Sequence, residues 1–143
     1  MPYTIQAIVA KNGTLNDTNN KLVSLNQSME MLPLNDVFLE KHKISFLPLT
    51  DEGLKELPEN LKLLCEEISK NNVVAYIEAE FFGGQGTQAC VVFSNSEIKI
   101  GPIINDSAIN TALNYLGVKK NQSLDEFEAL GLNEHRDTNK WVT

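Results

Sequence analysis

The sequence predicts a single α+β domain over residues 1–143, with a mostly antiparallel sheet of about five or six strands and helices packed on one face. Three observations predict it. Val73 to Ile100 reads strand, reversal, strand, reversal, strand. Two stretches, Leu54 to Ile68 and Ala108 to Leu116, repeat apolar residues at three- and four-residue spacing, the helical period. No internal repeat or low-complexity linker divides the chain, so nothing suggests a second domain.

Tyr3 to Val9 alternates as a strand, and Asn12-Gly13 opens a polar, Asn-rich loop to Asn20. Leu25 and Met29 to Leu32 suit one or two short extended segments, interrupted by Asn26-Gln27-Ser28 and closed by Pro33. Asn35 is placed to cap a helix from Asp36 to about Lys41. Ile44 to Leu49 reads as extended, with Pro48 confining it to an edge or an end. Pro58 and Glu59 fit the first turn of a helix through Lys70 that Asn71-Asn72 ends.

The meander follows as Val73 to Phe81, a loop around Gly83 to Gly86, Gln88 to Phe93, a turn at Ser94-Asn95-Ser96, and Glu97 to Ile100, stopped by Gly101-Pro102. Asp106 is the expected cap of a helix striped by Ala108, Ile109, Ala112, Leu113 and Leu116, with Gly117 as its stop. Ser123-Leu124-Asp125-Glu126 reads as a capping box for a last short helix through Leu130, closed by Gly131.

With 143 residues and 42% hydrophobic content the chain can bury a core without staples. A formal net charge of −7 opposes the phosphate backbone, so no nucleic-acid partner is expected, whereas a basic protein surface would be attracted. The N-terminal stretch has neither a basic leader nor a sustained apolar core, and no run approaches the roughly 20 apolar residues that span a bilayer, so no signal peptide and no membrane partner are expected. Cys65 and Cys90 stand far apart without a CxxC, which argues against a disulfide framework or a zinc site and for a reducing cytoplasm. No cofactor and no metal are expected.

The candidate chemistry lies in the meander. Alternation puts Val74, Tyr76, Glu78 and Glu80 on one strand face, looking outward or into a site, and Val73, Ala75, Ile77, Ala79 and Phe81 on the other. Glu78 and Glu80 would lie roughly 6 to 7 Å apart, a spacing open to acid and base work, to a hard cation, or to a structural or partner-facing role. Gly83-Gly84-Gln85-Gly86 joins two strands and lacks the Lys-Ser or Lys-Thr of a phosphate loop, so it reads as a hairpin tip that a partner's backbone can approach. His42 sits in a solvated Lys41-His42-Lys43 turn, and His135 in the tail, too far apart for a triad or metal site. If the tail folds back on the meander, Arg136 could pair with Glu78 or Glu80.

The segments Tyr76 to Gln88, Gly101-Pro102, Ile109 to Val118 and Asp125 to Arg136 together resemble an uncharacterised group of small bacterial proteins. That group carries a Tyr-[Ile/Val]-Glu-x-Glu-[Phe/Tyr]-Phe-Gly-Gly-x-Gly-x-Gln segment, an Ile-Asn-x-x-Leu-x-x-Leu-Gly-Val helix and an Asp-Glu-Phe-x-x-Leu-Gly-Leu-x-x-His-Arg ending. The resemblance covers about the C-terminal half; it implies no catalytic residues and an association with toxin-immunity neighbourhoods. The expectation is therefore a non-catalytic cytoplasmic interaction protein, immunity-like, whose protein partner is basic, a toxin being one candidate. Its binding residues would be Tyr76, Glu78, Glu80, Gly84, Gln85, Gln88, His135 and Arg136. The alternative is a small enzyme or ligand-binding domain using Glu78 and Glu80 as acid, base or cation ligands.

Overall fold

In the computed structural model, which describes residues 2–15, 22–82, 85–120 and 125–142, β1 (Tyr3–Lys11) and β4 (Val73–Phe82) pair at the centre of a six-stranded sheet. The order is β2-β3-β1-β4-β5-β6, every pairing antiparallel, with β2 spanning Val23–Leu25, β3 Met29–Pro33, β5 Gln85–Ser94 and β6 Glu97–Asn105. Four helices pack against it: α1 (Asp36–His42), α2 (Glu59–Ile68), α3 (Ala108–Leu116) and α4 (Glu126–Leu130). Together they make an α+β fold. Among the described residues no helix is long and apolar enough to cross a membrane.

The helices divide between both faces of the sheet, not one as the sequence suggested. Ile5, Ala7 and Val9 of β1 and Ala75, Ile77 and Ala79 of β4 pack with the apolar stripe of α3 and with Leu130 of α4. The alternate residues Ile8 and Ala10 of β1 and Val74 and Tyr76 of β4 pack instead with Phe38 and Leu39 of α1 and Leu61 and Cys65 of α2. The physical reason is visible in the run Ala7-Ile8-Val9-Ala10, buried throughout: a strand covered on both faces has no solvent side and needs no polar alternation. Ala89 to Phe93 in β5 follows the same rule.

Local chemistry sets most element ends. The Asn35 side chain accepts from Phe38 N at 3.0 Å, as expected of the α1 cap. The β5–β6 hairpin turns through Asn95 and Ser96, both with positive φ (51° and 64°), the twist that suits a two-residue hairpin. Three expectations are corrected. Residues 44–50 form no strand but a looped crossing beneath which buried polar side chains lie. Gly101-Pro102 does not stop β6; the strand continues to Asn105 past a register shift opposite Cys90 and Val92, with Gly101 at φ 93°. The α4 cap is Asp125, whose side chain accepts from Glu128 N; Ser123 of the expected capping box lies outside the described residues.

The C-terminal segment folds back. Thr4 N donates to Arg136 O, Thr4 bridges Asp137 in parallel, and Thr138 in the 3₁₀ turn Thr138–Val142 is buried beside β1. This backbone covers the half of β1 that β3, paired only to Ala7 through Lys11, leaves open.

Candidate functional site

The carboxylate pair of β4 separates into two environments. Tyr76 and Glu78 are fully buried, and Glu80 is half-buried, so the face that was expected to look outward or into a site is mostly core. Gln6 of β1 lies directly across from Glu78 and is equally buried. Its Nε2 donates to Tyr76 Oη at 3.0 Å and to Ser45 O at 3.1 Å, while its Oε1 accepts from Leu47 N at 3.0 Å. Tyr76 Oη donates to Glu78 Oε2 at 2.5 Å. Glu78 Oε1 accepts from Thr50 N at 2.9 Å, from Thr50 Oγ1 at 3.0 Å and from Leu49 N at 3.2 Å.

The crossing loop therefore hangs from two side chains of the central strands. Its backbone amides would be orphaned against the sheet without them, and they also hold Leu47 at φ 43°, a conformation a branched side chain adopts only under constraint. Burial raises the pKa of the Glu78 carboxyl above its ordinary value, and the donors from Tyr76, Thr50 and Leu49 partly counter that rise. Burial and then the neighbouring Glu78 charge push the Tyr76 phenol upward. Glu30 does the same kind of work elsewhere, its two oxygens accepting from Gly13 N and Leu15 N.

Glu80 belongs to the rim. Its pKa is raised by partial burial and then by Asp51, with which it shares a hydrogen bond. Among the described residues no three His, Cys, Asp and Glu side chains converge as a metal would require.

On the opposite face the sheet end opens into a groove of about 450 Å³. Tyr3, Phe81 and Phe127 supply aromatic walls, with Tyr3 edge-on to Phe127 at 5.4 Å and tilted against Phe81 at 6.3 Å. Tyr3 is fixed by its hydroxyl, which donates to Leu132 O at 2.7 Å; its pKa is raised by burial, partly offset by the nearby Arg136 charge. The carboxylates of Asp106, Asp125 and Glu128 line the groove, as does the Arg136 guanidinium, which makes no salt bridge with them among the described residues. Gln88 sits at the groove and accepts from Ile109 N at 3.0 Å, so it serves the α3 N-terminus where Asp106 was the expected cap. Asn110 ties α3 to α4, donating to Asp125 and accepting from Phe127 N.

Of the residues singled out in the sequence, the structure brings Tyr76 together with Glu78, and Gln88 together with Arg136, on opposite faces. The tail folds back onto β1, and no ion pair joins Arg136 to Glu78 or Glu80 among the described residues. His135 is exposed and meets Trp141 edge-on at 4.6 Å. His42 is not in a solvated turn but ends α1, stacked on Phe38 at 4.1 Å. Gly84 lies outside the described residues; Gln85 pairs with Phe82 through the ladder, and its side chain is not among those described. Gly86 pairs with Phe81, and a Cβ there would collide with Glu80 O.

Sequence reasoning missed Gln6, although a glutamine inside the apolar run of β1 carries the same signal as Glu78. It also missed Tyr3, Asp106 and Phe127 as groove residues, since only the tertiary fold brings β1, α3 and α4 together. Compared with protein-family models, curated proteins and solved structures, the chain matches none.

Proposed function

We propose that this chain is a non-catalytic cytoplasmic interaction protein, immunity-like in character, that engages a basic protein partner at the end of the sheet where β4 and β5 meet. The observation that carries the reading is the groove at this sheet end, whose aromatic walls carry an acidic rim; Phe82, 76% exposed, ends β4 with its side chain on the opposite face from Phe81. Aromatic walls within an acidic rim, with an exposed aromatic at the same sheet end, suit the anchor-and-rim arrangement of protein interfaces. The net charge of −7 favours encounter with a basic surface. Glu78, which an enzyme would need, already accepts hydrogen bonds from four donors of the protein itself. The cytoplasmic setting draws on the two cysteines, both free and buried. The immunity character rests on the sequence resemblance alone.

Co-purification of the tagged chain with the products of the genes flanking its own tests the reading. A basic partner should be held at low salt, released as salt rises, and lost by Phe82→Ser with the unfolding midpoint unchanged. Retention of that partner by Phe82→Ser, or failure of every flanking product to bind, would overturn it.

A further inference from the structure

The groove at the sheet end is dipolar. Asp106, Asp125 and Glu128 come from the starts of α3 and α4, whereas Arg136 enters from the C-terminal segment held against Thr4. The rings of Tyr3, Phe81 and Phe127 line the same groove. Three carboxylates and one guanidinium, with no salt bridge between them among the described residues, leave both signs of charge available to a ligand. Asp125 is partly engaged, through Glu128 N and Asn110 Nδ2, so Asp106 and Glu128 are the carboxylates with most acceptor capacity to offer.

We propose that this groove receives a segment of the protein partner in which a Lys or Arg side chain stands close to a carboxylate. The cation would lie along the aromatic walls toward Asp106 and Glu128, and the carboxylate would meet Arg136. Aromatic faces attract a cation within about 6 Å of the ring, and a guanidinium is suited to two-point recognition of a carboxylate. A purely polybasic segment would set its second cation against Arg136, so the groove selects mixed charge over positive charge alone. The inference rests on the interaction reading and names the partner's chemistry.

The test is titration of the full chain with the capped peptide acetyl-Gly-Arg-Ala-Asp-Gly-amide, followed by amide chemical shifts. A dissociation constant on the order of 1 mM is expected for so small a ligand, with shifts confined to residues around Gln88, Asn110, Phe127 and Arg136. Replacing the peptide's Arg by norleucine, or its Asp by Asn, should each weaken binding by about three- to five-fold, the size of exposed charge pairs. Arg136→Gln should weaken the Asp peptide and leave the Asn peptide unchanged; Asp106→Asn should weaken every peptide that carries Arg. Shifts elsewhere, no shifts at all, or equal affinity for the charged and neutralised peptides would overturn the inference. Loss of peptide binding with Phe82-dependent partner capture intact would sink this inference alone. Peptide binding as expected, with no flanking product captured, would sink the interaction reading and with it the assignment to a protein partner, leaving only the groove's preference for paired opposite charges.

Discussion

Tyr76 and Glu78 stand two residues apart on the central strand, and the phenol of the first donates to the carboxylate of the second inside the core. A buried carboxylate is costly unless its lone pairs are occupied, and here the occupants are the backbone and hydroxyl of the crossing loop. The pair is thus a structural anchor.

Glu78→Ala should destabilise the fold by about 3 kcal/mol or more, because it strands the amides of Leu49 and Thr50 under the loop. Tyr76→Phe should cost about 1–2 kcal/mol. The double variant should lose less than the sum, since both act on one network. Denaturant unfolding measures all three; a Glu78→Ala loss below about 1 kcal/mol would contradict the anchoring role.

The pH dependence has a definite sign. The Glu78 carboxyl holds its proton more tightly in the folded protein than in the unfolded chain. Its contribution is therefore fully present below the ordinary carboxyl value of 4.5 and is lost as pH rises through the raised value. The difference in unfolding free energy between wild type and Glu78→Gln should shift against wild type from acid toward neutral pH. A flat difference, or one of opposite sign, would refute this.

Gly101→Ala should be more disruptive than Gly13→Ala or Gly53→Ala. All three glycines have positive φ, worth roughly 1–2 kcal/mol to any side chain. Only at Gly101 would the new Cβ also meet backbone, 2.5 Å from Cys90 O and 2.9 Å from Ile103 N, whereas Gly13 and Gly53 face open space. Thermal unfolding should separate the two classes, with an extra loss of about 1–3 kcal/mol at Gly101.

Thr138→Val should cost about 1–2 kcal/mol, because Thr138 Oγ1 accepts from Gln6 N at 3.0 Å and no methyl can do so. Amide hydrogen exchange at Gln6 should quicken in the variant. Unchanged exchange would show that the C-terminal segment does not hold β1.

The elements with regular period were legible. The α3 stripe from Ala108 to Leu116, its Gly117 stop and the Asn35 cap all follow from side-chain spacing and local bonding. Side-chain direction on β4 was legible too, since Val74, Tyr76 and Glu78 do share a face. What covers that face was not, because helices on both sides of a sheet leave no polar period and a lone Glu in an apolar run reads equally as site or anchor. Ile44 to Leu49 looked extended because Ile44, Leu47 and Leu49 are apolar and buried, yet the amides of Leu47 and Leu49 bond to side chains from strands far away in sequence. The groove was illegible for the same reason: Tyr3 and Phe127 meet only once the chain has closed.

That closure leaves β1 to be completed by a segment far along the chain. Gln6 N reaches Thr138 across 132 residues, and Tyr3 pairs with Phe81 of β4. During synthesis β1 leaves the ribosome long before either neighbour exists at its leading half. That half must wait with its amides unpaired while the rest is made. A chain interrupted after α4 would keep β1 beside β4 but leave the amides of Thr4 and Gln6 open on that edge, where a second molecule could join. In the folded protein the short C-terminal segment thus closes the edge through which two copies could join.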